Sequence, residues 1–445
     1  MADNAYTSTN LFAPNFRTPY SEQFNVGVQR EIHHGIVLSV DYVRNHALHY
    51  LMLWDSNHVG AARFLEQNAA MNAINNTNSS FNCPAGPGGV QCAINAGATI
   101  NSYAANGLDS GAAYLFGYPA SVSGLTPDTG AAFPGANPAV GQNEMDFPIG
   151  HSIYNGLDVS LKQQVKNPMR GIKGINLQVS YSLSRLDTMA LDQDFGGNVT
   201  DWDNYNHYIG PGALDRTNQF SAGGVFTLAK GFQVSLIAHA DSSLPSNLEL
   251  SPGQSRVVAT TGQIFQTDLT GDGTMGDILP GTNLGAFGRS VNPGNINKYI
   301  DAYNAKYAGQ LTPAGQALVS AGLFTATQLQ QLGAVTPTLA DAPAGQVGMG
   351  GLFTADLGLT YIAKIRENIT IQPSITFYNV TNSQNFDQGA SLLSGILQPV
   401  NAPAGTTGYA NDTTYGQRTS HVTLGSGLYG LGGPRVLEFG LKLTF

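Results

Sequence analysis

The most chemically suggestive segment of this 445-residue chain covers residues 267–277 and reads Thr-Asp-Leu-Thr-Gly-Asp-Gly-Thr-Met-Gly-Asp. Oxygen-bearing side chains stand at Asp268, Thr270, Asp272 and Asp277, around glycines that permit a sharp bend. This spacing partly fits a calcium-binding loop, but Leu279 occupies the twelfth position, where a bidentate Glu belongs. Two interpretations stay open. One is a calcium site in which Asp277 replaces that glutamate, and the other is an Asp/Gly-rich turn whose carboxylates bind its own backbone amides.

The chain has two cysteines, Cys83 and Cys92, separated by a segment rich in Pro and Gly. Close spacing across such a turn suits a disulfide in an oxidising compartment. A metal site would need further ligands that are not nearby in the sequence. We therefore expect a disulfide, with a pair of free loop thiols as the alternative.

Histidines offer a second way to bind a metal, because His46, His49 and His58 cluster near the outer end of one predicted strand. The alternative is that they are solvated loop residues, as His33 and His34 are expected to be in a turn. Neither pattern points to a reaction.

Enzyme motifs are lacking in the sequence. Gly425-Ser-Gly-Leu-Tyr-Gly430 matches a dinucleotide fingerprint as text, but no βαβ unit surrounds it. No Gly-x-Ser-x-Gly elbow or ordered catalytic triad is present. We predict that the protein is not an enzyme.

Aromatic residues near strand ends and in loops supply the remaining candidates for ligand binding: Trp54, Trp202, Tyr205 and Tyr208. They could stack against a sugar-like or aromatic ligand. They could equally form the aromatic girdle found where a membrane protein meets the water interface.

Composition restricts the class of protein. Only 11% of residues are charged, against roughly 25% in typical soluble domains. No run of about 18 apolar residues suggests a membrane-spanning helix. The polarity comes from uncharged side chains and 54 glycines, a mixture that suits a barrel with an apolar outside and a polar lumen. The net charge of −9 and the lack of a basic cluster argue against nucleic-acid binding.

Strict alternation of apolar and polar residues dominates the chain and predicts nine strands. Their apolar residues stand at every second position, for example Leu177, Val179, Tyr181 and Leu183. Pro373 interrupts one strand and predicts a bulge or an unpaired site there. The strands centre on residues 24–29, 36–42, 157–162, 175–184, 220–228, 232–240, 353–361, 369–377 and 437–445.

The connections between these strands alternate between short turns and long polar segments at 45–155, 185–218, 242–351 and 381–435. Outer-membrane barrels combine short periplasmic turns with long extracellular loops, so the pattern predicts an all-β, antiparallel transmembrane barrel. A β-sandwich shares the alternation but not the low charge. Because nine is odd, we expect residues 1–20 to end an extracellular loop of a longer barrel. Residues 1–8 lack the features of a signal peptide, which fits the same expectation.

Helix signals appear in the third long segment only. Thr312-Pro313 and the run from Thr325 to Gln328 resemble helix starts, and residues 296–303 precede them. We expect a small helical insert on an extracellular loop, either a ligand lid or simple loop packing.

Several segments resemble the barrel of Oar-like TonB-dependent transporters, a type common in acidobacteria. The match covers most of the chain and is poorest from about residue 60 to 145. The segments are 16–31 (FRTPYSEQFNVGVQRE), 35–43 (GIVLSVDYV), 152–161 (SIYNGLDVSL), 181–185 (YSLSR), Asp215-Arg216, 377–382 (FYNVTN) and 435–445 (RVLEFGLKLTF).

The resemblance implies a 22-stranded barrel of which residues 1–445 form the C-terminal portion. It also implies an N-terminal plug, a TonB box and a small regulatory-like domain, none of which this chain contains. The implied partners are outer-membrane lipid, the TonB-ExbB-ExbD complex acting through the plug, and a small ligand or oligosaccharide.

The functional prediction is TonB-dependent transport in the outer membrane, with a ligand bound by extracellular loops. A passive porin-like channel and a structural or adhesive barrel are the alternatives. Phe445 ends an alternating strand, so it resembles the terminal signal read by the barrel-assembly machinery, although it could be one more interfacial anchor. No cofactor is expected apart from the calcium considered above.

Overall fold

A computed structural model describes residues 11–109, 131–138, 143–189, 197–250, 262–342, 351–366, 368–383, 385, 396–397 and 433–445. Among these residues, nine long strands form one sheet, and each pairs antiparallel with the next one along the chain. The predicted strands are therefore confirmed. They are β1 Tyr20–His33, β2 Ile36–Asp55, β3 Glu144–Met169, β4 Ile172–Thr188, β5 Asn218–Leu228, β6 Phe232–Asp241, β7 Leu352–Tyr361, β8 Ile369–Tyr378 and β9 Val436–Thr444.

The register of the sheet separates polar from apolar side chains. Side chains of a strand alternate between its two faces, and directly paired residues share a face. One row of paired residues across β2 to β7 is apolar: Val40, Val159, Tyr181, Phe220, Ala240 and Phe353. The adjacent row, on the opposite face, is polar: Ser39, Ser160, Ser180, Ser221, His239 and Thr354. One face is thus suited to lipid and the other to water.

The apolar face is exposed rather than packed against protein. Phe439 and Leu441 on β9 are 75% and 68% exposed, and Phe24 on β1 is 57% exposed. Exposed apolar area of this extent normally marks an interaction surface.

The sheet has two edges, β1 and β9, and among the described residues these strands do not pair with each other. The predicted closed barrel is therefore represented here by an open, nine-stranded wall.

Pro373 lies where pairing on one side of β8 is interrupted, as predicted. Thr360 of β7 pairs with Ser374, whereas the next pair on that side joins Ala363 of the short strand Ala363–Arg366 to Ile371. On the other side, Pro373 pairs with Leu441 of β9. The missing amide thus falls on the side where the ladder already breaks.

Short turns lie at one end of the sheet and long loops at the other, but two strand pairs extend beyond their predicted bounds. Strand β2 continues to Asp55 and β3 begins at Glu144, so the first long loop spans 56–143 rather than 45–155. Strand β4 continues to Thr188, which shortens the second loop similarly. Register shifts near Tyr50 break the alternation on which the predicted bounds depended.

Within the described residues the loops carry six α-helices, which corrects the expectation that helix is confined to one insert. The predicted insert is present, with Thr312 and Thr325 as N-caps that accept hydrogen bonds from backbone amides. The described part of the first loop holds three more helices, and the longest, at Gln67–Ser80, buries mostly small or polar residues that give no clear apolar stripe. The helices are α1 Gln67–Ser80, α2 Val90–Asn95, α3 Ile100–Tyr103, α4 Ile296–Lys306, α5 Pro313–Ser320 and α6 Ala326–Gln331.

The long loops pack together into what we call the loop cap, comprising residues 56–109, 131–138, 197–217, 242–250 and 262–342. Its larger core joins the first and third loops, with Tyr103 against Phe324 at 5.3 Å and Phe133 against Phe265 at 5.8 Å between ring centroids. A second core surrounds Phe287 and Tyr303. No helix in the described part of the chain has both the length and the apolar character needed to span a membrane.

Short strands tie the cap to the wall and to the fourth loop. Gly197–Asn198 pairs with β2 and Gly210–Pro211 with β4. Leu11–Phe12, which precedes the wall, pairs with β3. Glu249–Leu250 pairs with Ile396–Leu397.

Candidate functional site

The Asp268–Asp277 segment forms a tight, buried turn inside the loop cap. Asp268 accepts hydrogen bonds from the amides of Gly271 at 2.5 Å and Gly273 at 3.0 Å. Asp277 accepts from the amides of Leu269 at 2.8 Å and Thr270 at 3.0 Å. These four bonds fold the segment onto its own carboxylates. Gly273 has φ +99°, and a Cβ there would lie 2.4 Å from the carbonyl oxygen of Val59, so glycine is required.

Asp272 connects this acidic turn to the second long loop. One carboxylate oxygen accepts the amide of Thr274 at 2.7 Å, and the other accepts the amide of Trp202. The carbonyl oxygen of Trp202 in turn accepts the indole N–H of Trp54, at the end of β2, at 3.1 Å. The acidic turn is therefore linked through Trp202 to the barrel wall.

Burial changes the acidity of the three aspartates. Loss of water around Asp268, followed by the charges of Asp277 and Asp272, raises the pKa of Asp268 well above its usual value. Burial, and then the charge of Asp272, raises the pKa of Asp277 to about 7. Burial also raises the pKa of Asp272, although its hydrogen bonds oppose the shift. Ionising all three at neutral pH therefore destabilises the turn unless a positive charge is supplied.

The geometry agrees with the turn interpretation in one respect, because the carboxylate oxygens accept backbone amides as such a turn requires. Among the described residues, no group of three or more His, Cys, Asp or Glu side chains is arranged to hold a metal ion. Calcium binding stays a prediction. The raised pKa values favour it, because a bound cation would stabilise the ionised carboxylates.

The four aromatic candidates differ in their environment: Trp54 is half-buried at the end of β2, with its ring edge-on to Phe147 at 4.7 Å, and the other three lie in the second long loop. Tyr208 is buried and its ring stacks on His207 at 4.1 Å. Trp202 is half-buried, with its ring edge-on to His58 at 6.1 Å. Tyr205 is exposed. Of the three residues in the second long loop, Trp202 and Tyr205 therefore present ring surface that a ligand could reach without rearrangement.

The histidines considered as metal ligands face different partners. His46 lies 4.0 Å from Glu22, the Nδ1 of His49 lies 3.0 Å from the carbonyl oxygen of Pro148, and His58 lies 3.5 Å from Asp203. The three do not converge on one point in the structure.

Cys83 and Cys92 form a disulfide, with 2.00 Å between the sulfurs. The bond joins the segment after α1 to α2 and lies beside the larger core of the cap. Gly425–Gly430 lies outside the described residues. Phe445 follows β9 and is 96% exposed.

One ion pair was missed by sequence reasoning. Asp215 is buried, and its carboxylate accepts the backbone amide of Leu186 and the guanidinium of Arg289. In the sequence, Asp215-Arg216 was identified only as one of the segments that resemble the Oar-like transporters. Its partner Arg289 lies 74 residues away, and no local pattern identifies it.

The family comparison agrees with the geometry of the wall. No curated protein matches the chain. Among solved structures, the chain is similar to the outer membrane transporter YddB from Escherichia coli, with 10% sequence identity and a TM-score of 0.38. The alignment covers 99% of this chain and 34% of the transporter, so the chain spans about a third of its length. A family model for the outer membrane beta barrel domain matches residues 1–426. The chain therefore belongs to the outer membrane beta barrel family, and it is a protein of the outer membrane.

Proposed function

We propose that this chain is the C-terminal wall and loop cap of a TonB-dependent outer-membrane transporter of the Oar-like type, which binds its ligand through the cap and performs no covalent chemistry. The observation that carries the proposal is the combination of a two-faced antiparallel wall with long loops that fold into a packed cap at one end only. A simple diffusion pore has no need of so large a folded cap.

The open edges of the wall fit a longer barrel. An unpaired strand edge in lipid leaves backbone groups without hydrogen bonds, which costs several kcal/mol per group, so β1 and β9 need partner strands. In a nine-stranded meander β1 and β9 run in the same direction. An odd number of additional strands would therefore close the barrel with antiparallel pairs throughout. The 22 strands implied by the family resemblance satisfy this condition, because 13 would be added to nine.

The loop cap supplies the ligand surface in this proposal. Trp202 sits between the wall and the acidic turn, and Tyr205 lies exposed three residues later. A small ligand or oligosaccharide could stack on these rings, as carbohydrates and aromatic groups commonly do. TonB-ExbB-ExbD would act through a plug formed by another part of the protein.

Two other functions would use the same wall. A passive channel would conduct ions steadily and would not need TonB. An adhesive barrel would neither conduct ions nor need TonB. The packed loop cap favours the transporter, since a folded ligand-binding surface serves uptake directly.

The test is to insert the full-length protein into planar bilayers in KCl and, separately, to cross-link it to the periplasmic domain of TonB. Low conductance together with cross-linking is expected for a transporter. Steady open conductance without cross-linking would instead identify a passive channel, and neither signal would favour an adhesive role.

A further inference from the structure

A hollow of about 470 Å³ lies on the polar face of the wall, near its loop end. It spans strands β3 to β6 and lies apart from the acidic turn. Its floor is made by the small hydroxyl side chains of Ser160, Ser180 and Ser221, which are paired directly across adjacent strands, with His239 next to them. Three successive strands thus present short hydroxyl side chains at one level, with the larger His239 ring on the fourth, and the depression lies over the serines.

The next row toward the loop end carries the charge. It runs across the same strands as Asp158, Ser182, Gln219 and Asp241, so a carboxylate stands at each side of the hollow. Three strand spacings separate these carboxylates, which corresponds to about 14 Å. No lysine or arginine lines the hollow within the described part of the chain.

The surroundings increase the negative potential at the Asp158 side. Asp41 of β2 is paired directly with Asp158 on the same face, an arrangement of like charges that is unfavourable by itself. At the other side, Arg216 lies close enough to interact with Asp241, but its guanidinium donates to the carbonyl oxygen of Ser242 at 2.5 Å. Two aspartates on one side and one partly compensated aspartate on the other give this row a net negative charge.

We infer that this hollow binds a linear organic polycation, with amines near Asp158 and Asp241 and the intervening chain over the serine floor. The inference rests on the proposed function in taking the polar face as the wall of a lumen that solutes enter. Serine hydroxyls and the Gln219 side-chain carbonyl can accept the N–H donors of such a chain, whereas an anion, although the hydroxyls could donate to it, would be repelled by both carboxylates. The distance between the two carboxylates sets the length of the ligand, because a short diamine reaches one carboxylate but not both.

The test uses the full-length protein in detergent and isothermal titration calorimetry, with spermidine as the probe and 1,4-diaminobutane as the shorter comparison. Spermidine should bind more tightly than diaminobutane, and its binding should be reduced by added salt. Replacing Asp158 by Asn should weaken spermidine about tenfold, the effect of one charge-assisted hydrogen bond, and Asp241→Asn should act similarly. Asp158→Asn removes a like-charge pair, so we expect this variant to fold.

The matched control is Glu438→Gln, which removes an equal charge from the polar face on β9, outside the hollow. It should leave spermidine binding unchanged. Absence of spermidine binding, an affinity unaffected by Asp158→Asn, or equal affinity for diaminobutane would overturn the inference. The conductance and TonB cross-linking of the same preparation report on the proposed function separately, so the two failures can be distinguished.

Discussion

Arg289 and Asp215 form a buried ion pair, with 3.0 Å between the Arg289 Nε and the Asp215 Oδ2. The pair joins the third long loop to the last residues before β5, and the other Asp215 oxygen accepts the amide of Leu186 in β4 at 2.8 Å. One carboxylate therefore holds the cap against the wall.

Replacing Asp215 by Ala should loosen this attachment strongly. The change leaves the largely buried Arg289 guanidinium without a carboxylate and with hydrogen bonds to backbone carbonyls only, and breaking a buried pair typically costs about 3–5 kcal/mol. Hydrogen–deuterium exchange should become faster around residues 284–296. The control is Asp203→Ala, which breaks the exposed pair with Arg63 and should cost about 1 kcal/mol or less. Equal effects of the two variants would contradict the role given to Asp215.

The acidic turn should lose stability as pH rises. The pKa of Asp277 is raised from an ordinary value near 3.8 to about 7 in the folded protein, so folding favours its protonated form. The favourable contribution is full below pH 4 and is lost as pH rises toward 7. Limited proteolysis within the turn should therefore be faster at pH 8 than at pH 5. Asp277→Asn, which stays neutral, should reduce this difference.

Calcium would reverse that pH dependence, because the cation binds the ionised carboxylates. If the turn is a calcium site, calcium at pH 8 should protect it from proteases, a chelator should remove the protection, and Asp272→Ala should mimic the chelator. Identical digestion with calcium and with chelator would exclude the calcium site and support the interpretation as a turn that binds only its own backbone amides.

The strands were predictable from sequence, whereas the acidic turn's environment was not. Alternation of residues such as Val179 and Tyr181 specifies a strand with two different faces, and no distant contact is needed to recognise it. The burial of Asp272 depends on Trp202, 70 residues away, whose amide it accepts. Similarly, α1 buries Ala70 and Ala73 against other loops, so its own sequence carries little apolar signal.

The disulfide can be tested directly. Mass spectrometry of a tryptic digest prepared without reductant should find Cys83 and Cys92 linked to each other. The two cysteines are nine positions apart with no lysine or arginine between them, so they stay in one peptide, and the disulfide lowers its mass by two hydrogens. Recovery of both as alkylated thiols from oxidised cells would contradict this prediction.

Epitope tags should report the orientation of the wall. Tags at Gly35 or Gly231, in the short turns, should be hidden from external antibody in intact cells. Tags at Gly88 or Gly309, in the loop cap, should be reached, because both positions are open to solvent. Gly273 is unsuitable, since it packs against Val59 and Trp202. Permeabilised cells provide the control, and the reverse labelling would overturn the orientation.

Phe445 distinguishes an assembly signal from an interfacial anchor. It continues the alternation of Phe439, Leu441 and Leu443 on the apolar face, and its side chain is 96% exposed. If Phe445 is one anchor among many, its deletion should cost about 1 kcal/mol of burial free energy in lipid, and the barrel should still assemble. As a signal read by the barrel-assembly machinery, its loss should stop assembly altogether.

In the full-length protein with its export signal, we expect deletion of Phe445 to leave unfolded, protease-sensitive protein in the periplasm. Phe445→Trp should restore assembly, because an aromatic terminus is retained. Leu443→Ala removes a comparable apolar side chain from the same face and should assemble normally, which controls for lost burial. Heat-modifiable, membrane-embedded barrel in normal amounts after the deletion would exclude the signal and leave only the anchor.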